Sequence, residues 1–148
     1  MVPLLSDGVR VQVKQVFKDL KHPVSLILFT SKSQNCTYCE QTQQLLDEVV
    51  TLSDLLSLEV YDLEGDVAQA STYQVEKAPG FVLAGRNGRA ITDYGVRFYG
   101  IPAGSEFTAL IHDILLVSKR DSGLAQDTRD FLRQLTQPVH LQVFVTPT

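Results

Sequence analysis

Cysteine is scarce in this 148-residue chain: there are two, at positions 36 and 39, too few for the disulfide framework of a small secreted scaffold. Basic clusters are missing as well. Thirteen Lys and Arg against 17 Asp and Glu leave a formal net charge of −4, and without a Lys/Arg stripe there is no electrostatic footprint for nucleic acid or another polyphosphate. No apolar run approaches the roughly 18 residues that would span a bilayer. The opening Met1-Val2-Pro3-Leu4-Leu5-Ser6-Asp7 lacks the basic stretch and apolar core of a secretory leader. These absences argue against a membrane span, secretion and nucleic-acid binding, and they make the reducing cytoplasm the expected compartment. What is present, 44% hydrophobic and 20% charged residues, suits one globular domain able to bury a real core.

Along the chain the apolar period switches repeatedly between helix-like and strand-like, the pattern of an α/β domain. A first helix is expected over 7–20, capped by Ser6 or Asp7, with Val9, Val13, Val16, Phe17 and Leu20 on one side and a stop near Pro23. The run 24–29 reads as a strand and the polar stretch 30–35 as a loop. A helix follows, with Cys39, Thr42, Leu45, Leu46, Val49 and Val50 on its apolar side. Further strands are expected at 58–63 and 80–84, with a short helix at 66–73 between them. Arg86-Asn87-Gly88-Arg89 signals a hairpin, since Asn-Gly accepts positive φ. The fourth strand falls near Ile91 or over 95–99. Residues 106–117 form an amphipathic helix with Ser105 as cap, its Leu110-Ile114-Val117 stripe reading as core, and 126–135 is one more helix, ending before Pro138.

Both cysteines sit in Cys36-Thr37-Tyr38-Cys39, between the strand at 24–29 and the helix after it. Two thiols separated by two residues at the start of a helix can close a small disulfide. The positive end of the helix dipole and its unpaired N–H groups favour a thiolate on the first sulfur. Cys36, ahead of the helix, is therefore the nucleophile candidate, and Cys39, one turn inside and more buried, the resolving thiol. Lys32 is the nearest cation in sequence and Glu40 acts against it. The blander reading is half a zinc site, but a tetrahedral site needs two more ligands. His22, His112, His140 and the carboxylates have no metal spacing, so no metal and no other cofactor is expected. His112, among Phe107, Ile111 and Leu115, reads as a packed or surface histidine. Tyr94, Phe98 and Tyr99 read as sheet packing or as a face for another unit to rest on. At Ala78-Pro79, just ahead of the third strand, a cis bond costs only about 0.5–1 kcal/mol because the second residue is proline.

The end of the chain echoes its beginning. Pro138-Val139-His140-Leu141-Gln142-Val143-Phe144 repeats the pattern of Pro23-Val24-Ser25-Leu26-Ile27-Leu28-Phe29 at an offset of 115, so that an internal repeat begins. With these residues, and with Asp93-Tyr94-Gly95-Val96-Arg97-Phe98-Tyr99-Gly100-Ile101-Pro102-Ala103-Gly104-Ser105-Glu106-Phe107, the chain resembles the protein disulfide oxidoreductases of thermophilic bacteria and archaea, glutaredoxin-like proteins with two thioredoxin-fold units in tandem. The resemblance implies a thioredoxin-like α/β fold: a central mixed four-stranded sheet flanked by helices, with an extra N-terminal helix and the first strand of a second unit at the C-terminus. The first unit would occupy 1–135, and 136–148 would open the second.

In such folds the proline matching Pro79 faces the dithiol, and the residue before it offers its N–H and C=O to an extended substrate. The resemblance thus implies catalytic Cys36 and Cys39, with Thr37, Tyr38, Ala78 and Pro79 in contact with substrate. Gly80 stands where the family usually has a β-branched or hydroxyl residue, which implies a more open lining. The implied activity is thiol–disulfide exchange with protein disulfides, a part of cell redox homeostasis, with a thioredoxin-reductase-like flavoprotein as electron donor. A docking unit that orients a second unit or another protein, its disulfide seldom reduced, is the alternative; glutathione-dependent activity is a weaker third, with Lys32 and the Ala78 backbone as the recognisable parts of a tripeptide pocket. An apolar face left bare by a missing second unit is a route to homodimers.

Overall fold

The computed structural model describes residues 2–33 and 35–146. Four strands form one sheet: β1 (Val24–Thr30), β2 (Leu56–Asp62), β3 (Gly80–Asn87) and β4 (Ala90–Tyr99). Their order is β2-β1-β3-β4; β1 and β2 run parallel, and β3 is antiparallel to both β1 and β4. β1 is buried without a break from Val24 to Phe29, apolar but for Ser25, because it is central and covered on both faces. Leu26 and Leu28, with Phe81 and Leu83 of β3, face the larger core. Ile27 and Phe29, with Val82 and Ala84, face a smaller one on the other side.

The larger core is closed by three helices, α1 (Asp7–Val16), α2 (Cys39–Val50) and α4 (Ser105–Lys119), through Val13, Leu45, Leu46, Val49, Leu110, Ile114 and Val117. The short α3 (Val67–Thr72) covers the smaller one with Ala70, and Phe29 packs there against Tyr61 and Tyr73 at centroid distances of 5.5 and 6.3 Å. Ser6 caps α1, its hydroxyl accepting the Val9 N–H. The helix is shorter than its apolar spacing implies: it ends at Val16 and tightens into a 3₁₀ turn over Phe17–Asp19, which still buries Phe17. Buried Ser118 of α4 receives the N–H groups of Lys21 and His22 and donates to the His22 carbonyl, which fixes the entry to β1.

Several boundaries differ from the expectation. The hairpin loop is Gly88-Arg89, with Asn87 still paired to Ala90, and only Gly88 has positive φ (+62°); glycine at the first loop position is the demand of a II′ turn, not of the Asn-Gly type I′. The two alternatives for the fourth strand are one strand, interrupted where Leu83 pairs Val96 but Ala84 pairs Asp93. Ser105 is inside α4 and the cap position is Gly104. The final helix α5 (Gln126–Arg133) buries none of its residues. Beyond it, 138–144 is exposed and has no strand assignment, so the expected first strand of a second unit is not formed: a strand needs a neighbouring ladder, and none lies beside it. Gln34 of the expected loop, and Met1, Pro147 and Thr148, lie outside the described residues. Among the described residues no helix is long and apolar enough to cross a membrane.

Candidate active site

The C-terminal ends of β1 and β2 carry the site. After Thr30 the chain is tied down by carboxylates of the β2–α3 connection. Asp62 accepts the Lys32 N–H through Oδ1 (3.1 Å) and the Gly65 N–H through Oδ2 (2.8 Å), and Asp66 accepts the Asp62 N–H at 2.7 Å. Ser31 donates its hydroxyl to Glu64 (2.8 Å), and Leu63 N–H bonds the Thr30 carbonyl. This knot fixes where the loop leaves the sheet on its way to Cys36. It is absent from the expectations drawn from sequence, although Asp62-Leu63-Glu64-Gly65-Asp66 has the Asx-turn composition that marks such a knot.

Cys36 and Cys39 form a disulfide with a Cα–Cα distance of 5.5 Å, inside the range a disulfide needs. Cys39 is the first residue of α2, not one turn inside it, and its N–H bonds the Cys36 carbonyl (3.4 Å). The two sulfurs' residues differ in access: Cys36 is half-buried, while Cys39 is 6% exposed. Thr37 and Tyr38 between them are exposed. The start of α2 puts the positive end of its dipole at this pair. One turn on, Thr42 is fully buried and its hydroxyl has no partner among the described residues, a polar group held in the apolar layer behind Cys39.

The Ala78–Pro79 peptide is cis. Ala78 is half-buried, while Pro79 and Gly80 are buried. The Pro79 carbonyl accepts the Gly100 N–H at 2.9 Å, which extends the β3–β4 ladder past Gly80, and Gly80 pairs with Phe29 on one side and Tyr99 on the other. The lining at Gly80 is not open as expected. A Cβ there would stand 2.9 Å from the Tyr99 ring and 2.6 Å from the Lys77 carbonyl oxygen, because that ring already fills the space. Phe98 stacks on Phe81 at 5.0 Å toward the larger core, whereas Tyr94 and Tyr99 are half exposed.

Electrostatics around the sheet are local. Asp93 is held below the ordinary carboxylate value by the Arg97 guanidinium, which donates to both of its oxygens, and by the Gly95 N–H. Tyr61 is pushed up by its hydrogen bond to Glu59 and by burial, and Tyr73 by burial. His112 is exposed and its nearest carboxylate is that of its neighbour Asp113, at 3.8 Å. Among the described residues no three His, Cys, Asp or Glu side chains converge as metal ligands.

Comparison with known proteins gives the same picture. A family model described as a thioredoxin domain matches residues 27–111. The protein disulfide oxidoreductase from Aeropyrum pernix K1 superposes with a TM-score of 0.85 and 32% identity, over 99% of this chain and 62% of that one. The NTD_N/C domain of the alkylhydroperoxide reductase AhpF from Enterococcus faecalis superposes with a TM-score of 0.73 and 25% identity, over 85% of this chain and 58% of that one. By sequence, an alkyl hydroperoxide reductase protein of Staphylococcus epidermidis is 31% identical over 128 residues, 77% of this chain and 24% of that protein. The chain thus spans about a quarter of such curated relatives and 62% or less of these two solved chains.

Proposed function

The chain belongs to the thioredoxin-domain family, and on that premise we propose that it is a protein disulfide oxidoreductase working through Cys36 and Cys39. The reading rests above all on one observation, a disulfide at a helix start whose first cysteine keeps solvent access while its second is buried. In the reducing direction the Cys36 thiolate attacks one sulfur of a substrate disulfide, a mixed disulfide forms, and the first substrate thiolate leaves. The Cys39 thiolate then attacks Cys36 Sγ, the second substrate thiolate leaves, and the Cys36–Cys39 disulfide results. Two electrons and two protons pass to the substrate, and oxidation of a dithiol is the same path reversed.

Thr37 and Tyr38 line the approach to the sulfurs in this reading, and an extended substrate segment adds alongside Ala78, next to Pro79. The electron donor is a flavin-dependent, thioredoxin-reductase-like protein or domain, a reading supported by the relatives named as alkyl hydroperoxide reductases. The cytoplasm is the workplace we assign. Residues 136–148 serve as the beginning of a second unit, and their apolar side chains supply the contact for that unit or for a second copy of the chain. A dithiothreitol-coupled insulin-reduction assay tests the activity. Catalysis abolished by Cys36→Ser is the expected result, and no turnover by the intact chain would leave the docking role as the better account.

A further inference from the structure

We propose that Tyr99, lying over Gly80, forms a subsite beside the Ala78–Pro79 edge that takes a bulky apolar side chain of the polypeptide next to the substrate's half-cystine; this rests on the oxidoreductase reading above. The β3–β4 register sets Tyr99 directly against Gly80. The Gly100 N–H bonded to the Pro79 carbonyl keeps the two chains together past that point. Because Gly80 has no side chain, the ring drops onto its Cα, with Cε1 and Cδ1 at 2.9 and 3.0 Å from where a Cβ would be. The contact holds the ring in place, yet 47% of the residue's surface remains open. A rigid, half-exposed aromatic face next to a site for extended chain is suited to an apolar neighbour and costs little further ordering when it binds. In an added strand, side chains alternate in direction. Specificity would therefore fall on one flanking residue rather than on the whole segment.

The ordinary explanation of such a pair is that a cross-strand aromatic ring shields a strand glycine, and the same hairpin contains the control. Tyr94 also lies over Gly85, reaching it diagonally because Gly85 pairs with Thr92; a Cβ there would stand 3.1 Å from its ring, and Tyr94 is 48% exposed. Gly85 is five residues further along β3, or about 17 Å at the usual rise per strand residue. Shielding alone makes the two tyrosines equivalent. A substrate subsite makes only Tyr99 matter to exchange.

The experiment measures second-order rate constants for oxidation of the prereduced protein by three disulfides: two cystine-bridged linear peptides that differ only in Phe or Gly beside the half-cystine, and bis(2-hydroxyethyl) disulfide. The intact protein should prefer the Phe peptide. Tyr99→Ala should lower that rate about three- to ten-fold, the range expected for one lost aromatic contact, abolish the preference, and leave the small disulfide unchanged. Tyr99→Phe should keep the preference and Tyr94→Ala should match the intact protein. The subsite is overturned if Tyr99→Ala retains the preference, if it slows all three disulfides alike, or if Tyr94→Ala reproduces its effect. An intact protein inert to all three disulfides would instead remove the oxidoreductase reading, and the subsite with it.

Discussion

Cys36 and Cys39 are three residues apart but meet different surroundings, the first half-buried ahead of α2 and the second buried as the first residue of that helix. On the proposed mechanism a polypeptide disulfide meets Cys36 first, and release of the mixed disulfide needs Cys39, to which Cys36 is bonded in the oxidised form. With Cys39→Ser, attack should proceed and resolution should stop, so a covalent adduct with substrate accumulates; with Cys36→Ser no adduct should form. Non-reducing mass spectrometry of acid-quenched mixtures checks both, and equal adduct yields from the two variants would reverse the assignment. Gly80 is a third residue that shapes the candidate site. A methyl group there meets the Lys77 carbonyl oxygen at 2.6 Å, and a backbone atom cannot swing aside as a side chain can. Gly80→Ala should destabilise the fold by about 1–3 kcal/mol, the usual range for overpacking, and should slow exchange with polypeptides as the Ala78–Pro79 edge is displaced. Urea unfolding and the insulin assay measure the two effects. The cysteine pair was legible in the sequence because its chemistry is carried by spacing within four residues. The Gly80–Tyr99 contact was not, because it depends on cross-strand register over a ladder with an irregularity between Leu83 and Ala84, and no local pattern announces that.

α2 carries the dithiol, and α1 and the N-terminal segment are fastened to it through one carboxylate. Glu48, with a side chain only 12% exposed, accepts the N–H groups of Leu4 and Leu5 and bonds from Gln44 and the Arg10 guanidinium. Burial by itself would raise its pKa, but the four donors together outweigh that and hold it below its ordinary value of 4.5. The ionised form is favoured in the folded state, so this stabilisation is fully present above pH 4.5 and is lost as pH falls through the lower folded-state value. Glu48→Gln should therefore cost about 1.5–3 kcal/mol at neutral pH, the range for hydrogen bonds to a charged group. It should also flatten the decline of stability in acid. Urea midpoints of the two proteins across the acid range provide the check, and parallel pH profiles would contradict the assignment. Both helices were legible from their 3.6-residue periods, and residue type narrowed the cap of α1 to Ser6 or Asp7, of which Ser6 holds the position. The Glu48 clamp was not, since its partners at Leu4 and Leu5 lie 44 and 43 residues away, beyond any local signal.

At the scale of the molecule, the alternation of helical and extended periods foretold an α/β domain, because each element must bury one face against another layer, while the mixed order of the sheet was implied by the family resemblance alone. At the end of the chain the extended pattern is not matched by an assigned strand. Residues 138–144 have strand composition like that of 23–29, but β1 is a strand because β2 and β3 flank it, and 138–144 has no such neighbours. Val139, Leu141, Val143 and Phe144 are consequently left in solvent, Phe144 at 89% exposure, although apolar side chains grouped in this way mark a contact surface. Two consequences can be separated by ending the chain after Leu135. Intramolecular stability should change by no more than about 0.5 kcal/mol, as for surface positions that bury nothing, and thiol–disulfide exchange should persist, because neither core contains a residue beyond Val117. Association should change. Sedimentation should show the full chain forming dimers as concentration rises and the shortened chain remaining a monomer. A full chain that stays monomeric at every concentration would mean that this apolar segment does not bring two copies together, and a shortened chain that unfolds would mean that it contributes to the first unit's own stability.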